Sequence, residues 1–179
     1  MEMMALPDEA SLIERAKTDS EAFRQLYERY LPELYRYTYY RTGNPTVAED
    51  VVAETFLRVW RNLRRYEQRG VPFRYWLYRI AGSILADIRP RQMPVAGLGW
   101  ETVAENDAAG QVELRLDLAR QLRSLPQAQQ EAISLRYVQD LSLKQVAEIM
   151  GRSEGAVKQL AWRGLRTLRE RMKADAEKP

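Results

Sequence analysis

The sequence predicts an all-α fold, built as two small helical domains joined by a flexible linker. Three observations predict it. Apolar residues recur at helical spacing in several separate segments, and no segment shows the strict alternation of a half-buried strand. Near the middle, a stretch carrying Gly, Pro and acidic residues interrupts the helical pattern. The 179 residues suffice for one large domain or two small ones.

The first long helix is marked by Phe23, Leu26, Tyr27, Tyr30 and Leu31, at i, i+3, i+4, i+7 and i+8. Pro32 either kinks that helix or opens a further helical piece. Gly43-Asn44-Pro45 is a break. Thr46 then reads as an N-cap, with Glu49 completing a capping box. Val52, Phe56, Val59, Trp60 and Leu63 give the buried face of the helix that follows. After a loop around 68–72, a helix from about Phe73 to Ile88 carries Trp76, Leu77, Ile80, Ala81, Ile84 and Leu85, and Pro90 stops it.

Charge then changes sign. Residues 61–91 carry eight Arg against Glu67 and Asp87. Residues 92–118 carry Arg115 against Glu101, Glu105, Asp107, Glu113 and Asp117, with Pro94, Gly97, Gly99 and Gly110 among them. A linker over 91–112 is expected, between domains at 1–90 and 113–179. A long surface loop inside one domain is the alternative, but a loop of that length is unusual in a compact domain.

In the second half, Pro126 suits a first helical position, with Ala132, Leu135 and Tyr137 on the buried side. Ser142 and Gln145 form a capping box for a short helix over 143–150, bearing Leu143, Val146, Ala147 and Met150 on one side. Gly151 is its natural terminator. Ser153 caps a longer helix whose stripe is Val157, Leu160, Ala161, Gly164, Leu165, Leu168 and Met172. The tail 174–179 is expected to be disordered.

A short helix, a Gly turn and a longer helix with a polar first turn describe a helix-turn-helix, in which the first helix braces the second for entry into a major groove. With the stripe turned inward, Arg152, Ser153, Glu154, Gly155, Lys158, Gln159, Trp162 and Arg163 lie at the start of the helix or on its outer face. Lys and Arg meet phosphates, Gln reads base edges, and a helix N-terminus favours a phosphate. An ordinary helical hairpin with a solvated basic face satisfies the spacing equally well. Trp162 either touches DNA or packs on the linker or the other domain.

Composition removes several functions. With no Cys and no His there is no disulfide framework, no thiolate nucleophile, no imidazole base and no His-metal site. An enzyme reading would rest on carboxylates, and Asp50 with Glu54 is the one tempting pair. No cofactor and no metal are expected. The net charge of +3 decides nothing by itself. The start of the chain has no basic n-region ahead of an apolar core, and no run reaches the roughly 18 apolar residues of a membrane span, so a cytoplasmic protein is expected.

These residues also carry a family resemblance. Leu125-Pro126 to Arg136-Tyr137, followed by Leu141 to Lys158, resembles region four of bacterial RNA polymerase sigma factors. Ala48 to Trp60 is similar to the polymerase-binding helix of region two, and Phe73 to Ala81 to its promoter-melting helix. The two-domain layout resembles the extracytoplasmic-function (ECF) group.

The resemblance implies partners: core RNA polymerase through its β′ coiled coil and β flap, promoter DNA, and an anti-sigma factor. It implies that Asp50, Glu54, Arg58 and Arg61, which share a helix face at spacings of 4, 4 and 3, dock on the polymerase. Taken alone, that spacing describes a solvated face of i,i+4 ion pairs. The resemblance further implies that Arg152 to Arg163 read the minus-thirty-five element. It places Arg65, Tyr66, Arg69, Arg74, Arg79, Ser83 and Asp87 at the minus-ten element, with the loop at 66–71 holding a flipped base. Unstacking a base costs energy that aromatic and Arg side chains repay by trapping it.

There are departures from the family pattern. Ser83 stands where the family often has Asn, Pro90 interrupts the usual basic tail, and Leu160 replaces a common Arg. The acidic stretch at 101–117 either mimics nucleic-acid charge in the polymerase or is a solubilising tether. The competing function is a stand-alone helix-turn-helix regulator with an N-terminal sensing or dimerisation domain, for which the Arg-aromatic stretch at 64–79 has no use.

Overall fold

Asp19 and Gly43 set the limits of the longest helix in the first half. The Asp19 carboxylate accepts from the Glu21 amide at 2.9 Å, and Gly43 ends the helix in the left-handed region at φ 61°. The computed structural model describes residues 8–67, 70–88 and 109–176. The expected linker over 91–108, the stop at Pro90, the minus-ten candidate Arg69 and the last three residues of the tail lie outside the described residues.

The described residues form helices α1 (Glu9–Ala16), α2 (Ser20–Thr42), α3 (Pro45–Asn62), α4 (Phe73–Asp87), α5 (Ala109–Arg123), α6 (Gln127–Ile133), α7 (Leu143–Met150) and α8 (Glu154–Ala176). A short 3-10 turn (Leu63–Arg65) follows α3, and a π-helical turn (Ser134–Val138) follows α6. The four residues 109–112 of the expected linker are helical, within α5.

Pro32 lies inside a continuous α2, so no separate helical piece begins there. The start of α3 differs from expectation. Its cap is Asn44, whose side chain accepts from the Val47 amide at 3.2 Å, and Pro45 occupies the first turn. Pro has no N–H to satisfy and a preset φ, so it takes the first helical position and moves the cap two residues ahead of Thr46. Pro126 sits one place earlier than expected, as the residue before α6.

Helices α1 to α4 pack as one unit, with α2 against α1, α3 and α4. Its core holds Leu26, Leu34, Tyr37, Val52, Phe56, Val59, Leu63, Phe73, Leu77 and Ala81. Trp60, expected in that face, is 45% exposed and only edges onto Phe23 at 4.7 Å. In the second unit α8 packs on α6 and α7 around Ala132, Ile133, Leu135, Val146, Ile149, Val157 and Ala161. Leu165 and Met172 are exposed although they continue the apolar stripe, and Tyr137 is exposed on the π turn. The units touch where α5 and the π turn meet α2 and where α7 meets α4.

Candidate nucleic-acid interface

The capping box at the start of α7 forms as predicted. Ser142 Oγ accepts from the Gln145 amide at 3.2 Å, and Gln145 Oε1 accepts from the Ser142 amide at 2.8 Å. Gly151 ends α7 at φ 62°, and Ser153 Oγ accepts from the Ala156 amide at 3.2 Å at the head of α8. The turn is thus fixed by short-range bonds on both sides, and it aims the first turn of α8 at solvent. Arg152, Ser153, Glu154, Gly155, Lys158, Gln159, Trp162 and Arg163 are all exposed.

Within this surface the Arg166 guanidinium lies over the Trp162 ring, 5.0 Å from its centroid, leaving Trp162 60% exposed. Trp162 therefore packs on no other described domain. No atom comes within 4 Å of a Cβ built on Gly155. The fold gives no steric reason for a glycine there, and the missing side chain leaves the backbone open to close approach from outside.

A second surface lies between the end of α3 and α4. An open cleft of about 600 Å³ is lined by Arg58, Asn62, Arg65, Tyr66, Glu67, Trp76, Arg79, Ile80 and Ser83. That volume is in the range of small-ligand sites, roughly 300–1,000 Å³. Tyr66 and Trp76 stack in its wall, with centroids 4.8 Å apart and planes 23° apart. Phe73 meets both rings edge-on and is itself fully buried, which fixes the pair from behind. Trp76 is thus half-buried wall rather than core, and burial holds the Tyr66 hydroxyl above its ordinary pKa.

The fold gathers some of the expected minus-ten residues and separates others. Arg65, Tyr66, Arg79 and Ser83 converge on the cleft. Asp87 is exposed at the far end of α4, outside the lining. Arg74 is half-buried beside Glu33, whose carboxyl is pushed up chiefly by burial while Arg74 and Arg36 pull it down. Arg58, expected to face the polymerase, lines the cleft and donates to Glu54 at 2.7 Å. Asp50 and Arg61 remain exposed on α3 near exposed Leu57 and Trp60. Sequence reasoning missed Asn62 and Glu67. Asn62 follows Arg58 by one helical turn, so the same periodicity that grouped Arg58 would have found it.

Among the described residues no group of three or more acidic side chains is arranged to hold a metal ion, and no helix is long and apolar enough to cross a membrane.

Two family models match the chain, sigma-70 region 2 over residues 26–91 and sigma-70 region 4 over 121–170. The first match contains the cleft and the second contains the exposed face of α8. The chain is 36% identical over 177 residues to the ECF RNA polymerase sigma factor BldN of Streptomyces coelicolor, covering 92% of this chain and 66% of that protein. It is 30% identical to the ECF RNA polymerase sigma factor SigW of Bacillus subtilis, covering 88% of this chain and 92% of that one. Among solved structures it resembles CnrH in complex with the cytosolic domain of CnrY, with a TM-score of 0.72 and 25% identity over 92% of this chain and 97% of CnrH. Matches to both regions, in order, leave the stand-alone regulator without support. This chain belongs to the RNA polymerase sigma factors, in the ECF group.

Proposed function

We propose that this chain binds core RNA polymerase, directs it to a promoter and helps open the duplex there, while the polymerase performs the chemistry. One observation carries the reading: a single chain presents both an exposed polar and basic face at the head of a helix-turn-helix and an Arg-lined cleft with a stacked aromatic wall. The first suits duplex DNA and the second suits an unpaired base.

In this reading the exposed residues from Arg152 to Arg163 enter the major groove at the minus-thirty-five element. Lys and Arg hold phosphates, and Gln159 reads a base edge. At the minus-ten element Arg65 and Arg79 hold the displaced strand, while Tyr66 and Trp76 offer an unpaired base an aromatic surface. Unstacking that base costs a few kcal/mol, which stacking and phosphate contacts offset. Arg58 and Asn62 belong to this surface as well. Asp50, Glu54 and Arg61 dock on the β′ coiled coil, and the second unit docks on the β flap. The protein works in the cytoplasm, without catalytic activity of its own. A partner that masks it, as the cytosolic domain of CnrY is seen bound to CnrH, fits the same scheme as an anti-sigma factor.

The test is a pull-down of purified core RNA polymerase by the wild type and by the double variant Asp50→Arg with Glu54→Arg. Stoichiometric capture by the wild type, lost in the variant, is expected. Wild-type protein that binds duplex DNA but no polymerase would overturn the reading.

A further inference from the structure

The cleft between α3 and α4 carries hydrogen-bond acceptors among its arginines, and a phosphate has no use for an acceptor. Asn62, one turn after Arg58 at the end of α3, lines the cleft and donates from Nδ2 to the Arg58 carbonyl at 2.8 Å. That bond fixes the sense of the amide, because the flipped amide would set two oxygens against each other. Asn62 Oδ1 is therefore an acceptor, and it accepts from no described residue. Glu67 brings a carboxylate to the same wall. The Tyr66 hydroxyl donates to the Val71 carbonyl at 3.4 Å, which leaves its oxygen to accept as well.

The donors are guanidinium groups. Glu54 holds Arg58 through Nε at 2.7 Å, and the two terminal nitrogens of Arg58 remain for a ligand. Arg65 lines the cleft too and is exposed. The edge of a guanidinium presents two parallel N–H groups, which match two acceptors lying side by side. These arginines alone would suit a backbone phosphate. Asn62 Oδ1 and the Glu67 carboxylate would repel one, so the cleft is built for a ligand that donates as well as accepts.

The four bases differ in that respect. Thymine has a single ring N–H between two carbonyl oxygens and no amine. Adenine has an amine, but none of its ring acceptors stands beside another. Guanine has an amine and a ring N–H together, and its O6 and N7 form a side-by-side pair. Cytosine has an amine, with O2 and N3 as the pair. Any base can lie against the Tyr66 and Trp76 rings, because stacking is tolerant of sequence. The choice among bases falls to the polar groups, and a site that bonds a substrate N–H rejects an analogue without it.

We propose that Asn62 and Glu67 make the cleft selective for guanine or cytosine over thymine and adenine. Asn62 Oδ1 and the Glu67 carboxylate accept from the amine of the base, and the fork of Arg58 or Arg65 meets its paired acceptors. This rests on the function proposed above and names the class of base taken at that site.

The test gives the full chain a single base to read. Fluorescent single-stranded heptamers, abasic except for one central guanine, cytosine, adenine or thymine, are titrated by anisotropy at fixed low salt, beside a fully abasic strand. The guanine or the cytosine strand should bind several-fold more tightly than the thymine and adenine strands. Asn62→Leu and Glu67→Gln should each shrink that ratio toward one, while affinity for the fully abasic strand is unchanged or rises. Asn62→Asp, which keeps an acceptor at that place, should retain the ratio. Equal affinity for all four bases would overturn the base reading and leave DNA binding standing. A ratio that survives Asn62→Leu and Glu67→Gln would overturn the role of these two residues. A chain that binds none of the heptamers, and no longer mixed-sequence single strand either, would overturn the proposed function and this reading with it.

Discussion

Gly164 faces Ile133 so closely that a Cβ on the glycine would stand 2.5 Å from Ile133 Cδ1 and 3.3 Å from Gln129 Cβ. This is where α8 crosses α6, and it sets how α8 is carried on the rest of its unit. Ile133 is packed in the core, 3% exposed, so its side chain has little room to retreat.

Gly164→Ala should therefore destabilise the protein by about 1–3 kcal/mol, the usual cost of overpacking, although alanine is the better helix former. Chemical denaturation of the full chain measures it. Unchanged or raised stability would mean that α6 and α8 are free to shift apart.

Gly155, on the same helix, should behave in the opposite way. Nothing lies within 4 Å of its added Cβ and its φ is not positive. Gly155→Ala should raise stability by up to about 1 kcal/mol. The same methyl group would stand between the helix backbone and a phosphate, so affinity for a mixed-sequence duplex should fall several-fold at fixed salt. Anisotropy titration checks the second effect. Affinity that is unchanged would take the head of α8 out of close backbone contact with DNA.

Glu33 gives a prediction in pH. Burial, the largest influence, holds its carboxyl above the ordinary value of 4.5 and Glu9 adds to this, against the pull of Arg74 and Arg36. The folded protein thus holds that proton more tightly than the unfolded chain, so ionisation costs stability. The cost is absent below pH 4.5, grows as pH rises above it, and is complete once pH has passed the folded value. Glu33→Gln should raise the melting temperature at pH 7, with the gain fading as pH falls toward 4.5. A gain that is equal at both pH values would assign the effect to packing rather than charge.

Features fixed by near neighbours are legible in the sequence. The Ser142–Gln145 box, the Gly151 terminator, the Ser153 cap and the limits of α7 each depend on residues within one helical turn, and all form as expected. Local rules misplace the head of α3, where Asn44 and Thr46 both make good caps and Pro45 decides between them. They also overextend the buried stripe of α8. Period alone cannot say where a helix outruns its partners: Met172 lies past Leu168, which is buried, and is solvent-facing for that reason, while Leu165 is exposed at the edge of the stripe. Residue types at the two candidate DNA surfaces are visible as Arg interleaved with aromatics and as a polar first turn. Their grouping is less so. The spacing along α3 puts Arg58 with Asp50 and Glu54, and it does bond Glu54, whereas only the packing of α4 on α3 brings Trp76 and Ser83 into the same cleft as Arg58.

The sequence by itself determined the helical class, the turn that presents α8 and the family, because each is written in short-range periodicity, caps and ordered motifs. Only the tertiary structure decided which side chains share the cleft and that the two units close on one another. The Arg41–Gln130 pair joins residues 89 apart, and Tyr78 and Gln139 are 61 apart. A hydrogen bond across such a distance leaves no spacing in the chain, since it depends on how whole helices pack and not on the residues beside it.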